Sequence, residues 1–528
     1  MRKRQQLWIL LGVFALAALM RVGLAGRQGL WADEVFSLAM ATGHSVEHPA
    51  AVANPALGDF VEPDRPVPVE EFRRYLRHDN PPASPARVVR AVLLSDTNPP
   101  LYYLLLYGWT LVVGTSDVAL RLFSTVWSLA CLPLLAAVAR RTAGRRAAIA
   151  ACVLFAFAPL SVYYSTEGRM YSLLLFCTLA TAWLSLALRR PGSRGWLLAL
   201  WILASAAGFL THYFFVFVWV AMVTFLLLRP GRLARGHLGL GVLLTLLAIL
   251  PWYANVPETL NRWIVTQDWL KWEPAGFSRP GAARDRVLQF FSGRGGGLWG
   301  NARHADRAAL FLFALVAGAM AWRLRLRAFC GRRLFLWLWL GAACAGPFAL
   351  DLLRGTYSSA VPRYVLAGLP AAYLLAAMGL SCAGRRAGAV GLALIVLAWA
   401  PNLMSIYRND SRSWSPFREV ARAVTTTGTH SDLVLVHSIP SGVLGIARYA
   451  DGPAAIASWV GQLGQRRVPE SIEALAAGRA RILLVKIHEV GEPAPEEDWL
   501  RAKAAVFREA RHGSARIVEF RPRDAERF

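Results

Sequence analysis

Leu30-Trp31-Ala32-Asp33-Glu34-Val35-Phe36-Ser37 places two adjacent carboxylates just after the first long apolar run of the chain. Ionised side chains at the edge of a bilayer are costly in free energy, so an acidic pair in that position indicates a functional site. Taken alone, Asp33 and Glu34 also fit two solvated loop acids that cap the following helix. The distribution of apolar and charged residues along the rest of the chain separates these two interpretations.

Composition indicates a membrane protein. With 528 residues, 55% hydrophobic content and 20 tryptophans, the chain is too apolar for an ordinary soluble enzyme and too long for one compact domain. A net charge of +25 would suggest nucleic-acid binding in a soluble protein, but here the arginines stand in short clusters between apolar runs. The six cysteines show no CxxC spacing, which predicts neither a disulfide framework nor a structural zinc site.

Apolar runs predict the number of membrane crossings. A helix needs about 17 to 25 mostly apolar residues to cross a bilayer, and eleven runs of roughly that length are predicted to do so. They are residues 7–24, 118–139, 147–163, 170–188, 195–210, 213–228, 238–252, 308–324, 334–352, 364–380 and 387–404.

Charge predicts the orientation of these spans. With a cytoplasmic amino terminus, six short basic segments without any acidic residue face the cytoplasm, and all 33 carboxylates lie on the other face or at its edge. Those segments begin at Arg2, Arg140, Arg189, Arg229, Arg323 and Arg385. This asymmetry is the positive-inside pattern. Counting the apolar run at 98–113 as a span would break the pattern, so that run is predicted to lie flat on the outer surface.

The predicted organisation is a transmembrane domain at 1–405, with a first external loop at 25–117, followed by an extracytoplasmic α/β domain at 406–528. The proline- and charge-rich stretch 48–85 in the loop is predicted to be mobile. In the C-terminal region, strands are predicted at 432–437, 481–487 and 515–520, and helices at 414–424, 469–477 and 496–511. The fold class is thus an all-α polytopic membrane protein, with about eleven transmembrane helices plus interfacial helices, and a small C-terminal α/β domain.

Further polar residues recur at the outer ends of the predicted helices. Each of these residues also has a purely structural interpretation. Arg121 could snorkel to the interface, and Glu167 and Arg169 could form a local ion pair that closes the turn. His212 could be a structural histidine, and Arg363 could anchor its helix at the membrane surface. Together they map to one leaflet, where a site between a lipid-borne substrate and an external acceptor is expected. Guanidinium groups suit a phosphate, and a carboxylate suits a general base.

Six motifs in order carry a resemblance. They are LWADEVFS at 30–37, NPPLYYLLLYGW at 98–109, ALRLFSTVWS at 119–128, YYSTEGRMYSLLL at 163–175, THYFFVF at 211–217 and PRYVLAGLPAAYLL at 362–375. Their order and topology resemble the GT-C superfamily of integral-membrane glycosyltransferases. More narrowly, the chain is similar to bacterial relatives of protein O-mannosyltransferases (glycosyltransferase family 39) and of the lipid A aminoarabinose transferase. The resemblance covers roughly residues 1–405.

The resemblance implies an inverting glycosyltransferase in a bacterial plasma membrane, with a polyprenyl-phosphate-linked sugar as donor and an extracytoplasmic active site. It implies that Asp33 is the catalytic base and that Glu34, beside it in the catalytic pair, orients the acceptor or the donor. The donor phosphate is assigned to Arg121, Arg169 and Arg363, and substrate contacts are assigned to Glu167, Tyr171, His212 and Asn98. Asn98 stands where many relatives have His or another polar or charged residue before the two prolines, and the insert at 48–95 has no match. The acceptor is a lipid, glycan or protein hydroxyl.

Three alternatives stay open. No ligand spacing demands a metal, although a divalent cation bridging carboxylate and phosphate is conceivable. A transporter or flippase of lipid-linked sugars would also place charged residues along its path, but usually at mid-depth and with inverted repeats. A noncatalytic membrane scaffold displaying the C-terminal domain is the third class.

Overall fold

The computed structural model describes residues 3–48, 53–95, 98–190, 195–231, 233–255, 271, 278–293, 303–408, 415–488, 494–523 and 527–528. The chain forms two compact units. The first unit contains Met1–Ala25 and Arg121–Arg408, and the second unit contains Gly26–Leu120 and Asn409–Phe528.

Helices make up most of the described residues. They are α1 (Lys3–Ala25), α2 (Ala32–Ala41), α3 (Val69–Arg73), α4 (Pro85–Ser95), α5 (Leu101–Val113), α6 (Asp117–Thr142), α7 (Arg145–Phe157), α8 (Pro159–Ser165), α9 (Tyr171–Leu188), α10 (Gly195–Phe209), α11 (Phe215–Leu228), α12 (Arg235–Tyr253), α13 (Arg279–Ser292), α14 (Arg303–Leu324), α15 (Arg333–Arg354), α16 (Pro362–Val365), α17 (Leu369–Cys382), α18 (Arg385–Arg408), α19 (Phe417–Thr427), α20 (Pro440–Tyr449), α21 (Glu470–Ala476) and α22 (Pro495–Lys503).

Each of the eleven predicted spans coincides with a helix or a bent helix pair. Within the described residues, eight helices are long and apolar enough to cross a membrane, or nine if α7 and α8, bent by 62°, form one span. The remaining two, α10 and α11, are apolar but only 15 and 14 residues long. The predicted polytopic membrane architecture is therefore confirmed.

Burial separates the inner from the outer helices of the first unit. In α9 and α17 almost every side chain is buried, and α17 packs against α7, α14 and α15. By contrast, α1, α12 and α18 expose rows of large apolar side chains. Such rows suit a lipid environment, because lipid tails are as apolar as the side chains themselves.

The C-terminal part of the second unit contains one five-stranded sheet in the order β2-β1-β3-β5-β4. Its strands are β1 (Asp432–His437), β2 (Ala455–Trp459), β3 (Arg481–Lys486), β4 (Ala504–His512) and β5 (Ala515–Pro522). Strand β1 is parallel to β2 and β3, whereas β5 is antiparallel to β3 and β4. This sheet confirms the predicted small α/β region.

Two details of that region differ from the prediction. The helix predicted at 496–511 is wrong beyond Lys503, because the chain continues as β4 and pairs with β5. Gly513 has φ 59 and, with Ser514, makes the two-residue turn between these strands. Strand β2 was not predicted. The helix predicted at 414–424 is α19, and Trp414 lies outside the described residues.

The first external loop folds together with the C-terminal region. Val67 pairs with Ile456 as an isolated antiparallel bridge at the edge of the sheet. Phe60, Phe72 and Tyr75 are buried, and the Phe60 ring contacts the rings of both Phe72 and Tyr75. The stretch 53–76, predicted to be mobile, is therefore folded. The second unit thus joins 26–120 to 409–528, whereas the predicted boundary assigned the loop to the transmembrane domain, because sequence order alone does not reveal this packing.

Candidate functional site

The acidic pair lies at the first turn of α2 in the second unit, and its two members have different surroundings. Glu34 is fully buried, and its Oε2 accepts the backbone amide of Trp31 at 3.2 Å. It thus satisfies an amide at the helix start that has no partner within the helix. Asp33 is half-buried, and its backbone carbonyl accepts the Ser37 hydroxyl at 2.9 Å. Of the two carboxylates, Asp33 is the more accessible to a substrate.

Asn98 lies in the same unit as the acidic pair. It precedes the two prolines that lead into α5, and it is half-buried. Because α5 packs directly against α2, the NPPLYY motif and the WADE motif belong to neighbouring helices. Asp33 and Asn98 therefore lie in neighbouring segments of the second unit, and their assignment to one site stays a prediction.

Arg121 lies one turn into α6 and is buried in the first unit, with only 1% of its surface exposed. Its Nη1 donates to the carbonyl of Ala25, the last residue of α1, at 3.2 Å. The last carbonyls of a helix have no partner within the helix, so a guanidinium there offsets both the missing hydrogen bonds and the negative end of the dipole. Arg121 is thus held in place at the end of α1.

Glu167 and Arg169 lie in the tight turn between α8 and α9, and both are buried. The Arg169 amide donates to the Glu167 carbonyl at 2.7 Å. Helix α6 fastens the turn on both sides, because Ser124 donates to the Arg169 carbonyl at 3.2 Å and Thr125 donates to the Ser165 carbonyl at 3.1 Å. The turn therefore holds two buried, oppositely charged side chains on a rigid support.

An aromatic row continues from this turn. The Tyr171 ring lies 6.1 Å from the His212 ring, which in turn lies 6.0 Å from the Tyr364 ring. The Phe214 amide donates to Nδ1 of His212 at 3.1 Å. Since Nδ1 accepts, the proton of the neutral imidazole is on Nε2. The Arg363 guanidinium lies 5.6 Å from the centre of the Tyr364 ring.

The first unit therefore brings its six predicted site residues to the same end of its helices. Their shared feature is a position at a helix end or in the turn between two helices. They are Arg121, Glu167, Arg169, Tyr171, His212 and Arg363. With three arginines and one carboxylate, this cluster carries excess positive charge and suits an anionic group.

Sequence reasoning missed two residues of this cluster. Tyr164 is buried, lies 5.1 Å ring to ring from Tyr171, and is within electrostatic range of both Glu167 and Arg363. Tyr364 bridges His212 and Phe214, on which it stacks at 4.6 Å. Both tyrosines stand inside the six motifs, Tyr364 directly after Arg363 and Tyr164 three residues before Glu167, and this closeness in sequence was the available signal.

The turn before Arg363 has its own support. Asp351, at the end of α15, is fully buried, and it accepts the amides of Ser358 and Ser359 at 2.7 Å each and the Thr356 hydroxyl at 2.6 Å. One carboxylate thus fixes the short loop that leads into α16 and Arg363. Among the described residues, no group of three or more His, Cys, Asp or Glu side chains could hold a metal ion.

Comparison with known proteins relates part of the chain to a protein family. Residues 97–254 match the family described as dolichyl-phosphate-mannose-protein mannosyltransferase. The matched segment contains Asn98, Arg121, Glu167, Arg169 and His212. A comparison with curated protein sequences finds no significant match.

Solved structures show the fold of the whole chain. ArnT from Cupriavidus metallidurans, bound to undecaprenyl phosphate, is similar with a TM-score of 0.59 and 15% identity over 97% of this chain and 98% of that chain. The apo form of the same protein gives a TM-score of 0.54 and 14% identity over 92% and 95%. The predicted GT-C fold is thus confirmed. By its fold and by the partial family match, the chain resembles the integral-membrane glycosyltransferases of the GT-C superfamily, and among them ArnT and the protein O-mannosyltransferases.

Proposed function

We propose that this protein is an inverting glycosyltransferase that moves a sugar from a polyprenyl-phosphate donor to an acceptor hydroxyl on the extracytoplasmic face of a bacterial plasma membrane. The observation that carries the proposal is the set of three arginines, Arg121 and Arg169 buried and Arg363 half-buried, in a chain with the ArnT fold. A guanidinium group stays charged and bonds phosphate oxygens bidentately, and a lipid phosphate is an anion that reaches such a site from the bilayer. The matched mannosyltransferase family and the undecaprenyl phosphate bound to ArnT support the donor class.

In the proposed reaction, Asp33 accepts the proton of the acceptor hydroxyl as its oxygen attacks the anomeric carbon. The bond between that carbon and the phosphate oxygen breaks, and the electron pair leaves with the polyprenyl phosphate. Attack from the opposite side inverts the anomeric configuration. Because the phosphate is a good leaving group, no general acid is required, and Arg121, Arg169 and Arg363 stabilise the charge that develops on it.

The remaining residues are proposed to bind the substrates. His212 carries its proton on Nε2 and is therefore a hydrogen-bond donor toward a sugar hydroxyl or phosphate oxygen. Glu167 accepts from sugar hydroxyls, and Tyr171 offers a ring face beside His212. Asn98 contributes to the acceptor side together with Asp33. Glu34 shapes the start of α2 and so supports Asp33.

The test is sugar transfer or donor hydrolysis by the purified protein in lipid nanodiscs, with a panel of radiolabelled polyprenyl-phosphate sugars. Wild type is expected to consume one donor, while Asp33→Asn loses at least about 100-fold in rate and still binds that donor. Asp64→Asn is the matched control, because Asp64 is an exposed aspartate of the same unit. Full activity in Asp33→Asn would end its assignment as the base.

The same preparation tests the alternative of a transporter or flippase. In sealed vesicles, a labelled donor that crosses the membrane without being consumed by any variant would favour transport. Consumption by wild type at a rate that Asp64→Asn retains, with no vesicle translocation, supports the enzyme.

A further inference from the structure

The segment that leads into α2 is held by side chains from the C-terminal part of the second unit. The hydroxyl of Tyr449, the last residue of α20, accepts the Leu30 amide at 2.8 Å and donates to Oδ2 of Asp117 at 2.5 Å. Arg448 donates to the other oxygen of Asp117 at 2.7 Å. The Tyr449 hydroxyl therefore has both a fixed acceptor and a fixed donor, and it cannot rotate away without breaking one of them.

Arg418 of α19 reinforces the same contact. It donates to Asp117 and to the carbonyl of Arg27, each at 3.0 Å, and its guanidinium lies 5.1 Å from the centre of the Tyr449 ring. A Cβ atom on Gly29 would lie 3.1 Å from the Arg418 side chain, which is closer than carbon atoms normally approach. Glycine at position 29 therefore lets the chain pass close to Arg418, whereas a side chain there would require the Arg418 side chain to shift by a few tenths of an ångström.

A second contact lies two residues further along the chain. The Ser415 hydroxyl accepts the amide of Ala32, the first residue of α2, at 3.1 Å, and it lies 2.9 Å from Nε2 of His488. His488 follows β3 and has φ 57, a backbone conformation that is uncommon for residues other than glycine. Such strained residues persist only where the surroundings hold them.

Three successive amides at the start of α2 are therefore bound by side chains: Leu30 by Tyr449, Trp31 by Glu34 and Ala32 by Ser415. We propose that the C-terminal region fixes the first turn of α2, and that Tyr449 and Ser415 are positioning residues for Asp33. The catalytic part of this inference rests on the proposed function, whereas the structural part stands without it. The C-terminal region then helps to position the catalytic base, in addition to any role in covering the site.

The position of the Asp33 carboxylate depends on how firmly the first turn of α2 is held. Asp33 is the second residue of α2, so its side chain follows the direction of the first turn. Amides at the start of a helix have no partner within the helix, and this turn is its least constrained part. A general base that is displaced by about 1 Å from the proton it accepts loses much of its contribution to the reaction rate. Hydrogen bonds to the amides on either side of Trp31 restrict that displacement.

The structural test is hydrogen exchange of the peptide that covers residues 27–36 in full-length protein in nanodiscs, without any substrate. Tyr449→Phe removes one hydroxyl and is expected to speed exchange of the Leu30 amide about three- to tenfold, and Ser415→Ala is expected to do the same for Ala32. Tyr107→Phe is the matched control, because the Tyr107 hydroxyl donates to the Ala83 carbonyl at 2.7 Å and has no part in the start of α2. Unchanged exchange at Leu30 and Ala32 would overturn the proposal.

The catalytic test uses the donor identified for the wild type. Both variants are expected to lose about tenfold or more in kcat, with KM for the donor changed by less than about twofold, because only the base is displaced. Ser415→Thr, which keeps the hydroxyl, should restore most of kcat. Faster exchange with an unchanged kcat would overturn the role of these residues in positioning. If the wild type transfers no sugar, the proposed function fails, and the exchange result alone decides whether the first turn is fixed in this way.

Discussion

At the scale of single residues, the acidic pair shows why two adjacent carboxylates need not share a role. Successive residues of a helix point about 100° apart, so one of the two can face the protein interior while the other faces a cleft. Glu34 is the inward member and binds the Trp31 amide, and Asp33 is half-buried. The sequence predicted that both carboxylates matter, but the burial that separates them depends on packing by residues far away in the chain.

Changing Glu34 should therefore damage the helix start. Glu34→Ala is expected to weaken the first turn of α2 by about 1 kcal/mol, because the Trp31 amide loses its acceptor. Hydrogen exchange of the peptide 30–36 measures this. Glu34→Gln keeps an oxygen acceptor and serves as the control. If both variants exchange like the wild type, the carboxylate does not act as a cap.

A second buried acid in the same unit predicts a pH dependence. Burial raises the pKa of Glu62 to about 7, and its Oε1 accepts the Val460 amide at 2.9 Å. Between the ordinary value of 4.5 and about 7, the folded unit binds more protons at Glu62 than the unfolded chain does. The contribution of Glu62 to the free energy of unfolding therefore falls as pH rises through this range and stays at its lower level above it.

Glu62→Gln should remove that contribution. Relative to wild type, the variant is expected to gain about 2–3 kcal/mol in stability between about pH 4.5 and about pH 7.5. Exchange of the Val460 amide, corrected for its intrinsic pH dependence, measures the change. Burial lowers the pKa of His44 to about 4, which gives the opposite slope in both proteins and cancels in the comparison. A difference that is constant with pH would contradict the prediction.

At the scale of elements, the break between α7 and α8 has an identifiable cause and a specific support. Pro159 has no amide proton and so cannot continue the helix by donating to the Phe155 carbonyl. Arg21, fully buried in α1, donates to the carbonyls of Phe155 and Ala156 and to the Ser161 hydroxyl. Its remaining donors bind Ala17 and Ser128. The guanidinium thus satisfies the carbonyls that the proline leaves unpaired.

The Arg21→Lys variant is expected to be less stable than the wild type. It has three donors on one nitrogen where arginine has five in a planar fork, so Arg21→Lys leaves buried carbonyls unpaired at a cost of about 2 kcal/mol or more. Labelling of the buried thiols of Cys131 and Cys152 by a fluorescent dye during heating measures the lower stability. Arg4→Lys, at the exposed start of α1, is the control. Equal labelling curves for both variants would contradict this assignment.

Asp351 predicts an effect on the donor through the loop before Arg363. Asparagine offers one acceptor oxygen in place of two, so Asp351→Asn leaves one serine amide facing an amide nitrogen. We expect kcat/KM for the donor to fall about tenfold as Arg363 loses its fixed position. Asp285→Asn is the control, since Asp285 pairs with its neighbour Arg286 at 3.2 Å. A similar loss in both variants would indicate a general effect of removing an acid.

Elements also show where sequence patterns succeed and where they mislead. Long apolar helices such as α9 and α17 follow from composition alone, because a membrane span needs a continuous apolar run. Strand β4 was misassigned because its charged residues alternate irregularly and helix formers precede it. The Gly513-Ser514 pair before an alternating run was a hairpin signal. Strand β2 is five residues long, and its pairing with β1 comes from tertiary contacts.

At the scale of the whole molecule, the sequence predicts the helical membrane fold, which is confirmed, and it proposes residues for the site. It does not predict which segments of the chain make up the second unit. Spans and motifs are local patterns, whereas the second unit joins segments that lie several hundred residues apart. Arg73, for example, donates to the Ala447 carbonyl at 2.7 Å and pairs with Asp451 at 2.6 Å. No local pattern around Arg73 points to these partners.

Because the second unit is built from two distant segments, the fold of each segment is expected to depend on the presence of the other. A chain that ends at Arg408 keeps every helix of the first unit but removes the partners of Glu62, Val67 and Arg73. The stretch 53–76 then loses the sheet edge against which it folds, and its buried aromatic side chains become exposed. Limited trypsin digestion in nanodiscs should cut the truncated chain at Arg73 and Arg74 much faster than the full-length protein. Equal resistance would mean that the first external loop folds by itself, as the boundary predicted from the sequence requires.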